Sequence, residues 1–241
     1  DIIVLDVKTG SGAFMKREED AFELARQMVA LGKNAGKKTV AVVSDMDEPL
    51  GYAVGNALEV KEAIAVLKGE DAGNLRELCL TLGACVLIEA GMAESEEKAR
   101  GMLEKCIEDG SALKKLADFV EAQGGDKQAV YDPTFLPKAS VTREIRSPNQ
   151  GYIKSLQADN VGRACIALGG GRETKDSTID LSVGVVLHKK KYDYVNQNDS
   201  LLTIYAHDEQ SAAEAERILA DSYEFTVTSP EKTKFIKGIV R

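Results

Sequence analysis

Asp1-Ile2-Ile3-Val4-Leu5-Asp6-Val7-Lys8-Thr9-Gly10-Ser11-Gly12 is the stretch on which the fold turns. Ile2 to Val7 is an apolar run of strand length, the pattern of a strand covered on both faces. Lys8 to Gly12 closes it with a polar, glycine-containing turn. From Glu18 to Leu31 the period changes to that of a helix, with Ala21, Leu24, Ala25 and Met28 on one face. Glu18, Glu19 and Asp20 crowd its first turn, where the helix dipole favours acid. Thr39 to Val43 is again a buried-strand run. Strand, helix and strand in this order make a βαβ unit, so the sheet is expected to be parallel.

Outward from this unit, helical patterns dominate. They cover Val54 to Leu67, Leu75 to Ala90 and Glu94 to Glu108, and a fourth has Ser111 as N-cap and stops at Gly124. The composition shifts near Asp132-Pro133 and Pro137, after which strands return at Ala139 to Arg146 and Tyr152 to Leu156. A helix from Ala158 to Leu168 ends at Gly169-Gly170-Gly171. Strands at Asp180 to Leu187 and Leu201 to Ala206, a helix from Glu209 to Ala220 and a last strand at Tyr223 to Thr228 complete the reading. The expected fold class is α/β: a parallel-sheet α/β domain over residues 1–147, then a smaller α+β domain over residues 148–241.

Composition excludes several classes of function. The 241 residues carry 31 basic and 39 acidic side chains, a net charge of −8, which argues against a nucleic-acid binder that needs a basic stripe. Trp is absent and no apolar run approaches the ~20 residues of a membrane helix. Cys79, Cys85, Cys106 and Cys165 form no CxxC pair. They are expected to be buried free thiols, in keeping with a reducing cytoplasm.

Few residues declare chemistry on spacing alone. Gly10-Ser11-Gly12 after a strand can cradle a phosphate or make a tight turn, but Met15 stands where a dinucleotide fingerprint needs its third glycine. Asp6 and Lys8 alternate to the same side at the carboxyl end of the strand, where open α/β sheets place ligands; a structural ion pair is equally compatible. Phe14 either walls a pocket or plugs the helix onto the sheet. Asp45, Asp47 and Glu48, with Glu59 and Glu62 behind, can hold a cation or serve a helix dipole. His188 runs into Lys189-Lys190-Lys191, read as a solvated hairpin end, and neither it nor His207 has a partner at a diagnostic spacing.

Read as strings, four blocks resemble the pyrimidine nucleoside phosphorylase and thymidine phosphorylase family. They are Leu5 to Met15; Ser44-Asp45-Met46 through Pro49-Leu50-Gly51; Gly55 to Ala63; and Leu168 to Arg172 followed by Thr178 to Gly184. They extend over nearly the whole chain in the family's order, and Thr9 and Lys16 resemble the pyrimidine nucleoside type. The resemblance implies phosphorolysis: phosphate attacks the anomeric carbon of a uridine- or thymidine-type nucleoside, releasing the base and a pentose 1-phosphate. It also implies that Phe14 contacts the pyrimidine, and that a potassium ion is held by the carbonyls of Leu50 and Ala53 and the carboxylate of Glu62.

The family's phosphate loop, Lys-His-Ser-Thr-Gly-Gly, and its pyrimidine-gripping Arg, Ser and Lys do not occur in these residues. The start in a strand, without an initiator Met, carries the expectation of a C-terminal portion that lacks the N-terminal elements of its α/β domain, is inactive alone and has no catalytic residue of its own. Expected partners are the nucleoside, phosphate, the N-terminal segment of the same enzyme and, as family members do, a second copy; neither nucleic acid nor membrane is expected. Two turns depart from the family: Lys191-Tyr192-Asp193-Tyr194 and Asn198 stand where glycines are common. A second reading, a biotinyl-carrier-like binding module, rests on the C-terminal hairpins and lacks the Met-Lys-Met string a carrier offers.

Overall fold

The structure, a computed structural model, describes residues 1–172 and 174–241. In chain order the elements are β1 (Ile2–Thr9), α1 (Glu18–Asn34), β2 (Lys38–Asp45), β3 (Ala53–Val54), α2 (Asn56–Leu67), α3 (Asn74–Glu89), α4 (Glu96–Glu108), α5 (Ser111–Ala122) and α6 (Gln128–Tyr131). After a 3-10 turn at Pro133–Phe135 come β4 (Val141–Arg146), β5 (Gly151–Leu156), α7 (Ala158–Ala167), β6 (Gly184–Leu187), β7 (Tyr194–Val195), β8 (Ser200–Ala206), α8 (Glu209–Leu219), β9 (Tyr223–Thr226) and β10 (Ile236–Val240). They form two compact units, neither continuous in sequence. The first comprises Asp1–Met46, Ala65–Leu116 and Thr233–Arg241; the second comprises Asp47–Ile64 and Ala117–Lys232. The boundary expected between residues 147 and 148 falls inside the second unit.

In the first unit β1 pairs in parallel with β2, from Ile2 opposite Lys38 to Thr9 opposite Asp45. Val40, Ala41, Val42 and Val43 are at most 1% exposed, the full burial that a continuous apolar run foretells. Ala21, Ala25 and Val29 of α1 pack on this sheet with Val7, Ala41 and Val43. β10 was not expected. It lies antiparallel along β2, with a register shift between Ile236 and Gly238, so the three-stranded order is β1-β2-β10 and the sheet is mixed rather than parallel throughout. Its alternation is interrupted by Gly238, where any Cβ would come 3.0 Å from the Phe22 ring of α1. That close approach explains both the glycine and the weakness of the strand signal.

The second unit holds two antiparallel sheets, β3-β6-β8-β4 and β7-β5-β9. Its larger core joins Val185, Leu187, Leu202, Ile204 and Ala206 of the first sheet to Val161 and Ala164 of α7 and Ala212, Ala215 and Leu219 of α8. Ile153, Val195 and Leu201 make a smaller core under the second sheet. The strand expected from Asp180 begins only at Gly184, because Asp180 is spent on a turn, its carboxylate accepting from the Ser182 N–H and hydroxyl. Ser111 is not an N-cap but the first helical residue of α5, and its N–H donates to the Asp109 carboxylate.

Candidate functional site

In the first unit the carboxyl end of β1 carries a closed polar trio. Lys8 Nζ lies 2.6 Å from Asp6 Oδ2 and donates to Ser44 Oγ at 3.0 Å. Ser44 Oγ in turn donates to Asp6 Oδ1 at 2.7 Å. The register that sets Lys8 opposite Ser44 makes this contact, which the spacing of Asp6 and Lys8 alone could not reveal. Ser44, fully buried, was missed.

The glycine loop is a turn and not a phosphate cradle. Gly10 N–H donates to Met15 O, Gly12 N–H to Met46 O and Ala13 N–H to Gly10 O. Three amides that would face an anion are thus committed to carbonyls, and α1 starts only at Glu18. Gly10 itself has φ 124°, which a side chain would resist. The turn leaves Phe14 98% exposed, so the ring does not plug the helix onto the sheet.

In the second unit the residues expected to hold an ion share one corner. Glu62, on α2, reaches back over the loop before β3: its Oε1 accepts the Tyr52 N–H at 2.6 Å and its Oε2 the Ala53 N–H at 3.3 Å. Gly51 permits this approach, since a Cβ there would lie 2.1 Å from Glu62 Oε2. Two residues beyond Ala53, Gly55 has φ 139° and its N–H donates to Glu59 Oε1 at 3.0 Å, an acidic contact at the start of α2. Asn56 Nδ2 donates to Gly170 O and Ala57 N–H to Leu181 O, so the Gly55–Ala63 block and the glycine-rich block after α7 meet in space.

Lys190 is the residue the sequence reading misplaced. It is 7% exposed, not solvated. Its Nζ donates to the carbonyls of Pro49, Leu50 and Gly51 at 2.7, 3.0 and 3.4 Å. Glu48 Oε1 stands 3.4 Å from the same ammonium, and the Tyr52 ring centroid 5.2 Å. Glu48 Oε2 accepts the Lys191 N–H at 2.8 Å, and Lys191 Nζ lies 3.5 Å from Asp47. Burial pushes the Glu48 carboxyl above its ordinary range, while Lys190 and Lys191 draw it back. A signal was available: a lysine run follows Val185-Val186-Leu187 after the single residue His188, and an acidic pair of opposite sign sits at Asp47-Glu48.

The acidic residues therefore do not act as one group. Asp45 pairs with Lys237 at 2.7 Å in the first unit, while Asp47, Glu48, Glu59 and Glu62 each have the separate partners just described. Among the described residues no cluster of three or more His, Cys, Asp or Glu is placed to hold a metal. The donor set of Leu50, Ala53 and Glu62 is of another kind, hard oxygen only, and it fits an alkali cation in chemistry. Each Glu62 oxygen keeps a lone pair beyond the N–H it accepts, and the Leu50 carbonyl has one beyond Lys190.

Of the cysteines, Cys85 and Cys165 are buried, but Cys79 and Cys106 are exposed, against expectation. Burial pushes the Cys85 and Cys165 thiols up, away from reactivity. Among the described residues no helix is long and apolar enough to cross a membrane.

Comparison with known proteins agrees with the block pattern. Residues 1–113 match the model of the glycosyl transferase family a/b domain, and residues 152–226 match that of the pyrimidine nucleoside phosphorylase C-terminal domain. The chain is 54% identical over 210 residues to a pyrimidine-nucleoside phosphorylase of Geobacillus stearothermophilus, covering 87% of this chain and 48% of that protein. Proteins of the same description from Bacillus subtilis strain 168 and Staphylococcus haemolyticus are each 50% identical over 209 residues, with the same coverage, 87% and 48%. The chain thus spans about half the length of the curated relatives it matches. The C-terminal hairpins fall within the matched phosphorylase domain, and the biotinyl-carrier reading finds no support there.

Proposed function

Because this chain belongs to the pyrimidine nucleoside phosphorylase family, we propose that it serves, as the C-terminal portion of a complete enzyme, the reversible phosphorolysis of uridine- and thymidine-type nucleosides. The observation that carries this reading is an identity near one half running over 87% of the chain. Phosphate displaces the base at the anomeric carbon, so the reaction needs fixed positive charge around the phosphate, an in-line arrangement and hydrogen bonds to the departing base.

Of these demands the chain meets the positioning of the base. Phe14, exposed on the loop after β1, contacts the pyrimidine. Leu50 and Ala53, through their carbonyls, and Glu62, through its carboxylate, hold a potassium ion, which supplies fixed positive charge at the loop before β3. The phosphate-loop and pyrimidine-gripping strings do not occur in these residues. Those groups come from polypeptide equivalent to the half of the relatives that the chain does not span. The α/β part is on this reading completed by that polypeptide, and a C-terminal domain follows it. The matched segments 1–113 and 152–226 support this division. The complete enzyme is a cytoplasmic homodimer.

The test is phosphorolysis of uridine and thymidine followed by base release. The chain alone is expected to show no turnover. Mixed with a polypeptide carrying the phosphate loop of a relative, it is expected to release uracil. Turnover by the chain alone would overturn the division of labour; a mixture that forms a complex and cleaves neither nucleoside would overturn the activity.

A further inference from the structure

Lys190 has no role in the reading above, yet no other lysine among the described residues is buried. A desolvated ammonium is costly unless each of its protons finds an acceptor. Here three consecutive carbonyls, those of Pro49, Leu50 and Gly51, turn toward one nitrogen at 2.7, 3.0 and 3.4 Å. Consecutive carbonyls facing one way repel each other, so this backbone shape needs a positive charge at its focus. Glu48 Oε1 at 3.4 Å and the face of Tyr52 at 5.2 Å complete the surroundings of that charge. The lysine is itself held at its main chain: its N–H donates to Asp193 Oδ2 at 2.9 Å, and its carbonyl accepts from the Asp193 N–H.

We propose that Lys190 is a tethered cation that positions the Pro49–Gly51 carbonyls, so that the loop before β3 keeps its shape with no free ion bound. The focus on Leu50 extends the reading of that loop as the potassium-holding segment, and to that extent rests on it. Lys190 and an alkali ion then act on one group of carbonyls from two sides: the lysine sets the loop permanently, and the ion finds the Leu50 carbonyl already turned. Lys190 is a positioning residue and touches no reacting atom.

The experiment is amide hydrogen exchange on the full 241-residue chain, in choline chloride and in potassium chloride of equal ionic strength. In choline chloride the wild type is expected to exchange slowly at Tyr52 and Ala53, whose N–H groups donate to Glu62. Lys190→Met is expected to speed exchange there by about tenfold or more while β8 and α8 stay protected. Lys190→Arg, which keeps the charge, is expected to recover most of the protection. Unchanged exchange at Tyr52 and Ala53 in Lys190→Met overturns the proposal. If that variant unfolds the second unit altogether, Lys190→Gln, which keeps two donors, is read by the same criterion.

Potassium separates this proposal from the reading beneath it. Recovery of Lys190→Met in potassium but not in choline supports both. Loosening that potassium leaves untouched supports Lys190 as the positioning cation and counts against the potassium site.

Discussion

Tyr192 and Asn198 are the non-glycine residues with left-handed backbone among those described, at φ 80° and φ 70°. They fall in the two turns where the family commonly has glycine. Asn tolerates this region; a tyrosine, with its Cβ against the carbonyl, does so at a cost of about 1 kcal/mol. Tyr192→Gly is accordingly expected to stabilise the second unit by about 1 kcal/mol, raising its thermal midpoint by a few degrees. An unchanged or lower midpoint would show that the ring, whose centroid lies 5.3 Å from Lys191 Nζ, contributes as much as the backbone loses. The same turn shows why single residues were the hardest part of the sequence to read. The strain at Tyr192 could be suspected from a missing glycine; the acidic pair at Asp47-Glu48 hinted at a partner for Lys190, two residues earlier, but not at its burial. It depends on carbonyls about 140 residues away in sequence, at Pro49 and Leu50. Glu62, Leu50 and Ala53 came to attention through the family strings, and only the fold shows why Gly51 must stand between them.

Elements were more legible than residues. Runs with a strong period, such as β2 and α1, lie within a few residues of where the periodicity sets them. Those that failed were short or broken. β3 and β7 have two residues each, and β10 carries a glycine in its middle. Pairing partners, not local pattern, make these strands. The antiparallel contact of β3 with β6 illustrates the point. A Cβ on Gly184 would lie 2.2 Å from Val54 O and 2.9 Å from Gly55 Cα, and Gly184 has φ 153°. Gly184→Ala is therefore expected to destabilise the second unit by about 2–4 kcal/mol, read from its denaturant midpoint, because backbone must move to admit a methyl group.

Between α3 and α4 an ion pair adds to the apolar packing of Ala84, Leu87 and Ile88 with Ala99. Arg100 donates to both oxygens of Glu77, at 2.5 and 3.1 Å, and to Thr81 Oγ1 at 2.8 Å. The Arg100 guanidinium thus holds the Glu77 carboxyl below its ordinary value of 4.5. A carboxyl lowered on folding adds stability above its unfolded pKa and loses it as the pH falls through the folded one. Glu77→Gln should thus cost stability near neutrality and converge on the wild type as the pH falls below the unfolded carboxyl's value and through the lower folded one. With the Glu77 side chain 46% exposed, the difference at neutral pH should stay under about 1 kcal/mol, measurable as a pH series of thermal midpoints.

At the scale of the whole molecule, sequence reading recovered two regions of different character but not how the chain is shared between them. Composition marks a change near Asp132-Pro133, whereas contacts gather residues 47–64 with the later segment and return residues 233–241 to the first. Both transfers are tertiary facts. The first depends on the Lys190 contacts with the loop and on β3 pairing with β6, the second on β10 finding β2. This last pairing has a bearing on biogenesis. β2 sits in the middle of its sheet, and one of its two neighbours is made from residues 236–240. A ribosome that has finished residues 1–116 has therefore produced a sheet with a bare β2 edge whose middle, Val40 to Val43, is apolar. That edge stays open to adhesion until some 120 further residues have emerged. The second unit, continuous from residue 117 to 232 apart from one early insertion, can close sooner. Translation order thus covers β2 on its second side only after the second unit has emerged, and it is during this interval that a nascent chain would call on a chaperone.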